Sequence, residues 1–259
     1  MPAVASSALP RRVLITGMSG LIGGVLRRQL EGRCALRALN RRPMAGVDCH
    51  QADIADLAAI EPAFAGVDAV VHLAARAGGS LSFAQVLAPN VIGTYNVFEA
   101  ARRAGVKRVV YASSGAVVSG WEREMPYQAL VTGRYEAVKN WPRLTVEATP
   151  RPSGLYGASK VWGEALARHY AEAHGLSAIC VRIGHVVAED RPVTVRDFSV
   201  WCSQRDIARM LELCLTAPLE VGFQIFFATS ENKWSYRDLE HPRAVLGFEP
   251  QDAAERYRA

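Results

Sequence analysis

The chain has 259 residues, of which 50% are hydrophobic and 21% are charged, a composition typical of a folded globular protein. This length allows one α/β domain with a full hydrophobic core, and no apolar run is long enough to cross a bilayer, so we expect no membrane partner. The formal net charge of +5 is small. Arginines are frequent in the first forty residues, but no aromatic stacking pattern accompanies them, so the sequence does not indicate nucleic-acid binding.

Two further features bear on where the protein works. Residues 1–10 lack the basic start and the long apolar stretch of a signal peptide, and we expect them to form a flexible tail. The five cysteines are an odd number without a Cys-x-x-Cys pair, which favours reduced thiols over disulfides or a metal site. The sequence therefore predicts a cytoplasmic protein without a bound metal.

Short apolar runs alternate with helical patterns along most of the chain. Strands are predicted at residues 12–16, 35–39, 47–50, 67–73, 106–112 and 178–183. Helices are predicted at residues 20–30, 83–104 and 156–174. This alternation indicates an α/β fold of the Rossmann type, a doubly wound parallel sheet.

Two segments interrupt the alternation. Residues 119–152 are rich in tryptophan, proline and charge, and residues 184–201 are also irregular. Long loops in a compact domain are usually functional, and open sheets bind ligands beyond the carboxyl ends of their strands, so both segments should flank the active site. We expect a single domain over residues 11–259. Its small C-terminal substrate-binding portion lies mainly in residues 184–259, and residues 119–152 form a loop excursion.

A glycine-rich loop follows the first predicted strand. The run Thr16-Gly17-Met18-Ser19-Gly20-Leu21-Ile22-Gly23 spaces three glycines at intervals of three residues before a helix. The first glycine permits a tight turn, the second lets the backbone approach a pyrophosphate, and the third allows the helix to pack closely on the sheet. With the free amides of the helix N-terminus, this pattern predicts a dinucleotide site.

The residues after the second and third strands should contact the adenosine part of the cofactor. Asn40 stands where an acidic residue would bind the ribose hydroxyls, and unlike a carboxylate it does not repel a 2′-phosphate. Arg41 and Arg42 could pair with such a phosphate, the alternative being a solvated basic turn. Asp53 could accept a hydrogen bond from the adenine amino group or cap a helix. We expect NAD or NADP, with a lean toward NADP.

Tyr156 and Lys160 lie one helical turn apart on one helix face. A tyrosine titrates near pH 10, and we expect the neighbouring ammonium to lower that pKa so that the phenolate acts as a general base. Ser114, at the end of the fifth strand, should hydrogen-bond the reacting oxygen, with Ser113 as its rival. Residues 135–139 repeat the Tyr–Lys spacing, but Pro142 follows closely, so we interpret Tyr135 as a loop residue.

The chain resembles the extended short-chain dehydrogenase/reductase superfamily, also called the epimerase/dehydratase family. The motifs that carry the resemblance are the TGxxGxxG loop, His72-Leu-Ala-Ala75, Asn90-Val-Ile-Gly-Thr94, the Ser113-Ser114 pair, and Tyr156 with Lys160. Within the family it is most similar to uronate dehydrogenases, through NVIGTYNVFEAARRAGVKRVVYASS, LYGASKVWGEALARHY and LGFEPQDAAERYR. Enzymes of that kind oxidise C1 of a free sugar acid to a lactone and pass hydride to NAD.

The resemblance and the motifs together imply a set of site residues. Those expected at the cofactor are Gly17, Ser19, Gly20, Leu21, Ile22, Asn40, Arg41, Asp53, Ile54, Leu73, Ala74, Ala75, Asn90, Tyr156, Lys160 and Ile183. Those expected at the substrate are Ser113, Gly115, His185 and Arg196. Arg196 aligns with a carboxylate-binding arginine of the uronate enzymes, whereas Gly115-Ala116 replaces their substrate-contacting Asn-His.

Three functions fit these residues. The first is an NAD(P)-dependent oxidoreductase acting on a small sugar or sugar acid, with Tyr156 as general base. The second is an epimerase, dehydratase or reductase acting on a nucleotide-linked sugar. The third is a dinucleotide-binding sensor without chemistry, against which the intact Ser114, Tyr156 and Lys160 argue. Relatives pair the helices that begin near Phe83 and Tyr156, so the resemblance also implies a homodimer.

Overall fold

Apolar, β-branched segments form the strands of one parallel sheet, seen in a computed structural model that describes residues 8–258. Its strands are β1 Arg12–Thr16, β2 Ala35–Asn40, β3 Asp48–Gln51, β4 Ala69–His72, β5 Arg108–Ser114, β6 Ser177–Ile183 and β7 Phe223–Ala228. Most of the predicted N-terminal tail, residues 1–7, lies outside the described residues, as does residue 259.

The helices fill the connections between these strands. They are α1 Leu21–Leu30, α2 Leu57–Ile60, α3 Phe83–Val86, α4 Gly93–Arg103, α5 Tyr127–Val131, α6 Leu155–His174, α7 Asp197–Val200, α8 Gln204–Thr216 and α9 Glu240–Leu246. Short 3-10 helices are Glu61–Phe64, Gly115–Arg123, Tyr135–Ala137, Leu219–Val221 and Ala254–Tyr257. Over residues 8–258, no helix has the length and apolarity to traverse a membrane.

The strand order β3-β2-β1-β4-β5-β6-β7 places a switch point between β1 and β4. From β1 the chain moves outward to β3 and then crosses back to β4, so the connections leaving β1 and β4 diverge and open a crevice. Helices α1 and α8 pack on one face of the sheet, and α4 and α6 pack on the other. The predicted doubly wound Rossmann-type fold is confirmed.

The predicted helix over residues 83–104 is interrupted. Its middle turn, Leu87–Ile92, is a π-helix between α3 and α4. Pro89 lies inside this turn and has no backbone N–H to donate to the preceding turn, and a wider turn accommodates such a residue without ending the helix. The apolar periodicity therefore predicted a helix over this segment but not the π-helical turn in its middle.

Residues 119–152 are more ordered than the sequence indicated. Tyr127, Leu130 and Leu144 from this region pack with Phe227 and Tyr236 in a third hydrophobic cluster, separate from the two clusters on the faces of the sheet. The backbone is tied as well, since Leu144 N donates to the Tyr236 carbonyl and Asp238 N donates to the Leu144 carbonyl. The excursion is thus a packed layer joined to the C-terminal segment, near the carboxyl end of β5.

Candidate active site

The glycine loop between β1 and α1 has the geometry of a phosphate site. Gly17 adopts φ +70°, and a Cβ there would lie 2.9 Å from the Ala74 backbone, so only glycine fits this turn. Gly20 caps α1 without a side-chain hydrogen bond, and the first turn of α1 carries no acidic residue. The first amides of α1 and its positive dipole end therefore face the crevice and suit a pyrophosphate.

A cleft of about 990 Å³ opens at this loop. Many predicted cofactor residues line it, namely Gly17, Ser19, Gly20, Asn40, Arg41, Asp53, Ile54, Leu73, Ala74 and Ala75. The lining also includes Arg42, which the sequence had proposed as a phosphate partner, and residues that the sequence did not single out: Leu39, Ala52, Arg76, Gln85, Ala88 and Pro89. An extended dinucleotide matches a cleft of this size and mixed polarity.

Six predicted cofactor residues lie outside the lining of the cleft, among them Tyr156 and Lys160, which are described with α6 below. Leu21 begins α1 and is 40% exposed, Ile22 packs against the first core cluster, and Ile183 is buried at the end of β6. Asn90 is buried too, and it joins two elements. Its Oδ1 accepts from Arg76 N at 2.7 Å, and its Nδ2 donates to Ser159 Oγ at 3.0 Å. Asn90 thus fixes the loop after β4 against α6.

Thr16 and His72 form a buried link that sequence reasoning missed. Thr16 Oγ1 lies 2.7 Å from His72 Nδ1 and accepts a hydrogen bond from Ala74 N. Burial, assisted by the charge of Lys160, lowers the pKa of His72 to about 3, so the ring stays neutral. The pair orients the loop after β4 that forms the floor of the cleft. Both residues stand in motifs that the sequence analysis quoted, but nothing in those motifs marks the two side chains as partners.

The adenosine end of the cleft carries two free cations. Arg41 and Arg42 are exposed, and neither guanidinium has a hydrogen-bond or ion-pair partner within residues 8–258. Asn40 is buried, and its Oδ1 accepts a hydrogen bond from Ser19 N at 3.4 Å. Two cations and one carboxylate, Asp53, therefore line this end of the cleft.

Helix α6 brings Tyr156 and Lys160 to the carboxyl edge of β5. Close packing requires glycines on α6, because a side chain at Gly163 would occupy the volume of the Tyr111 ring. Lys160 Nζ is buried, donates to the Ala112 carbonyl at 2.7 Å, and lies 5.6 Å from the centre of the Tyr156 ring. Ser114, at the end of β5, interacts with the Tyr156 hydroxyl. The predicted triad is therefore assembled in space.

The structure does not show the lowered pKa of Tyr156 that the sequence analysis expected. Burial raises the pKa of Tyr156, and the hydrogen bond with Ser114 only opposes that rise. Burial also lowers the pKa of Lys160 to about 7, so the amine is only partly charged at neutral pH. We expected the pKa of Tyr156 to be lowered, whereas burial of the phenol raises it in this structure.

The prediction of Ser113 at the substrate is wrong. Successive residues of a strand point to opposite faces, and Ser113 points away from Ser114. Its Oγ donates to Glu164 Oε1 at 2.6 Å inside the protein. The same carboxylate receives Arg182 Nε and Nη2 at 2.9 Å, and the two side chains of this ion pair are 2% and 6% exposed. Ser113 belongs to a buried polar network that joins β5, α6 and β6.

Arg196 and His185 are each bound to a carboxylate of this chain. Arg196 donates from Nε and Nη2 to Glu122 at 2.7 and 2.6 Å. His185 Nδ1 lies 2.6 Å from Asp197. Burial raises the pKa of Asp197, but hydrogen bonds from His185 and two backbone amides lower it to about 2. Because Glu122 accepts hydrogen bonds from both Nε and Nη2 of Arg196, a substrate carboxylate would have to compete with it, and the role of Arg196 at the substrate stays a prediction.

Tyr135 is placed as the sequence analysis interpreted it, away from a sustained helix. It begins a short 3-10 turn and stacks on Trp234 with ring centres 3.8 Å apart. Gly115, by contrast, is buried directly after Ser114, and the guanidinium of Arg237 fills the space where its side chain would be. Sequence reasoning missed Arg237, since nothing local marks an arginine of the C-terminal segment as a neighbour of β5.

The model of the "NAD dependent epimerase/dehydratase family" matches residues 13–201. The chain belongs to this family. An NAD-dependent glucose-6-phosphate dehydrogenase of Haloferax volcanii is 32% identical over 93% of this chain and 93% of its own length. A uronate dehydrogenase of Agrobacterium fabrum is 35% identical over 96% of this chain and 87% of its own length. The crystal structure of uronate dehydrogenase from Agrobacterium tumefaciens matches with a TM-score of 0.82 and 35% identity, over 96% of this chain and 87% of that one.

These matches confirm the predicted family, the fold, and the enzyme class, an NAD(P)-dependent oxidoreductase of the short-chain dehydrogenase type. The relatives that match along nearly the whole chain are named as dehydrogenases of sugars or sugar acids. The nucleotide-sugar epimerase alternative is accordingly less favoured.

Proposed function

We propose that this member of the family oxidises C1 of a free sugar or sugar acid, with Ser114, Tyr156 and Lys160 as its catalytic residues. The observation that carries the proposal is the convergence of these three side chains at the carboxyl edge of β5, beside a cleft suited to a dinucleotide. The names of the relatives supply the substrate class, a small sugar or its acid.

Each residue has one task in the reaction. The bound nicotinamide supplies the hydride acceptor. Tyr156 Oη takes the proton of the sugar hydroxyl as the C–H electron pair leaves with the hydride, so a C–O double bond replaces the C–H and O–H bonds. Ser114 Oγ donates to the oxygen that develops carbonyl character. Lys160, held by the Ala112 carbonyl, moves positive charge toward the phenolate when its amine is protonated.

The test is an assay of the purified protein with NAD or NADP against free aldoses, uronic acids, aldose 6-phosphates and simple polyols. Reduced nicotinamide is followed by absorbance. Formation of reduced cofactor with one sugar or sugar acid supports the proposal. Dinucleotide binding without turnover on the whole panel would contradict it and would favour a nucleotide-sugar substrate or a sensor.

We also propose that the enzyme accepts NADP and prefers it to NAD. Arg41 and Arg42, which have no side-chain partner among residues 8–258, stand at the adenosine end of the cleft, next to an uncharged Asn40 that does not repel a phosphate. Changing both Arg41 and Arg42 to alanine should raise the KM for NADP by about 10- to 100-fold, the range expected for losing charge-assisted phosphate contacts. The KM for NAD should change less than about threefold, because NAD carries no 2′-phosphate.

The matched control is Arg28→Ala, which removes a cation from the exposed side of α1, outside the cleft lining. It should leave both KM values unchanged. Equal KM values for the two cofactors in the native enzyme, or a double variant that loses NAD and NADP alike, would contradict the preference.

We infer that the enzyme is a cytoplasmic homodimer. Apolar side chains on the helices that relatives pair are exposed: Phe83 (59%), Ile92 (41%), Tyr95 (44%), Leu155 (43%) and Trp162 (41%). All five cysteines are free, which suits a reducing compartment. Light scattering should give twice the monomer mass, and Trp162→Asp should shift it toward the monomer. A monomeric native protein would contradict the dimer.

A further inference from the structure

Arg237 is a buried cation with unused hydrogen-bond donors. The residue is 2% exposed, and its Nε and Nη1 have no hydrogen-bond partner within the described residues. Burying a charged group without a partner is costly, and buried donors are normally satisfied. Such a side chain is expected where a ligand supplies the missing acceptor.

Arg237 cannot easily turn away from this position. Its backbone pairs with Leu144 in a parallel bridge, held on either side by the hydrogen bonds of Tyr236 and Asp238 to Leu144. The guanidinium fills the space beside Gly115, where any side chain would collide with it. Gly115 directly follows Ser114, so their Cα atoms are about 3.8 Å apart. Ser114 is only partly buried. The guanidinium of Arg237 lies against the next residue, Gly115, and is therefore close to the catalytic serine.

The nearby carboxylate of Glu122 does not satisfy the hydrogen-bond donors of Arg237. Glu122 lies close enough for the positive charge of Arg237 to help lower its pKa, against the effect of burial. However, both oxygens of Glu122 are already bound by Arg196, and Oε1 also accepts from the Tyr236 hydroxyl. Glu122 therefore offers Arg237 no free acceptor, and its Nε and Nη1 stay without a hydrogen-bond partner within the described residues. An incoming anion would supply the missing acceptors.

We propose that Arg237 binds an anionic substituent, a carboxylate or a phosphate, of the sugar oxidised at Ser114 and Tyr156. This inference rests on the proposed function. The planar guanidinium suits either oxyanion. The guanidinium can reach this position only because Gly115 has no side chain. Arg237 thus serves as the anion-binding arginine, whereas Arg196 is neutralised by Glu122.

The test compares Arg237→Met with the native enzyme on three compounds that differ only at C6: a hexuronic acid, a hexose 6-phosphate and a neutral hexose, in the gluco and galacto series. For the preferred anion we expect kcat/KM to fall by about 100-fold, mainly through KM, since a buried charge pair is lost. For the neutral hexose the change should be less than about threefold. Whichever anionic compound shows the larger loss identifies the group as carboxylate or phosphate.

Arg143→Met is the matched control, because its exposed guanidinium lies over Trp141 in the same layer, away from Gly115. It should leave all three rates unchanged. Arg237→Lys, which keeps the charge, should recover part of the activity on the anion. Equal losses on charged and neutral hexoses, or no loss at all, would overturn the assignment.

Calorimetry of the native protein with bound dinucleotide separates this inference from the proposed function. Turnover of no compound would contradict the dehydrogenase proposal, whereas tighter binding of the hexuronic acid or 6-phosphate than of the neutral hexose would still support Arg237 as an anion site. Equal affinities for the three compounds would overturn it, whether or not Arg237→Met folds.

Discussion

Tyr156→Phe is expected to lower kcat by about 10³-fold, the loss typical of removing a general base. The dissociation constant for the dinucleotide should change less than about twofold, because the substitution removes only one oxygen, from a residue outside the lining of the cleft. Stopped-flow or steady-state absorbance gives the rate, and quenching of protein fluorescence gives the binding. Together they separate a chemical defect from a binding defect.

The chain offers a matched control in Tyr135→Phe. Tyr135 has the same spacing to a lysine, but its ring stacks on Trp234 in the layer formed by residues 119–152. Its loss of a hydroxyl should leave kcat within about twofold of the native value. Equal activity of Tyr156→Phe and the native enzyme, or a larger effect at Tyr135, would remove Tyr156 from the mechanism.

Glu164→Leu is expected to lower the free energy of unfolding by about 3–5 kcal/mol, because it leaves the buried Arg182 guanidinium without its counter-charge. Both partners of this pair are almost fully buried. Ser113 also loses its acceptor, which adds to the loss. Urea unfolding followed by circular dichroism measures the change, and the midpoint should fall with little change in slope.

Glu172→Leu on the same helix is the control. It breaks an exposed pair with Arg168, whose side chains are 59% and 65% exposed, and it should cost less than about 0.5 kcal/mol. The double variant Glu164→Leu with Arg182→Met should recover much of the stability, since both charges are then gone. If Glu164→Leu lowers the free energy of unfolding no more than Glu172→Leu does, the buried ion pair contributes nothing to stability.

The sequence was most informative where structure depends on neighbouring residues. The glycines at 17 and 20 needed only the strand before them and the helix after them, and the structure confirms that order. The Tyr156 helix was likewise identified by its own apolar periodicity. The sequence placed both Ser113 and Ser114 at the site, whereas the structure turns Ser113 toward Glu164 on the other face of β5.

The remaining roles depend on partners distant in the chain. Glu164 decides the orientation of Ser113 from 51 residues away, and Glu122 pairs with Arg196 from 74 residues away. No local pattern marks either carboxylate as a partner. For the same reason the sequence selected Arg196 as the anion-binding residue and missed Arg237, whose neighbour Gly115 lies on another element.

The hydrophobic cluster that joins residues 117–148 to residues 227–236 constrains how the enzyme can be re-engineered. The wall over the catalytic edge is a composite of two stretches that exchange backbone hydrogen bonds and aromatic contacts. Transplanting the first stretch from a relative would leave Tyr236 and Trp234 facing foreign surfaces. We therefore expect that a chimera changes substrate range without loss of stability only when residues 117–148 and 227–236 are exchanged together.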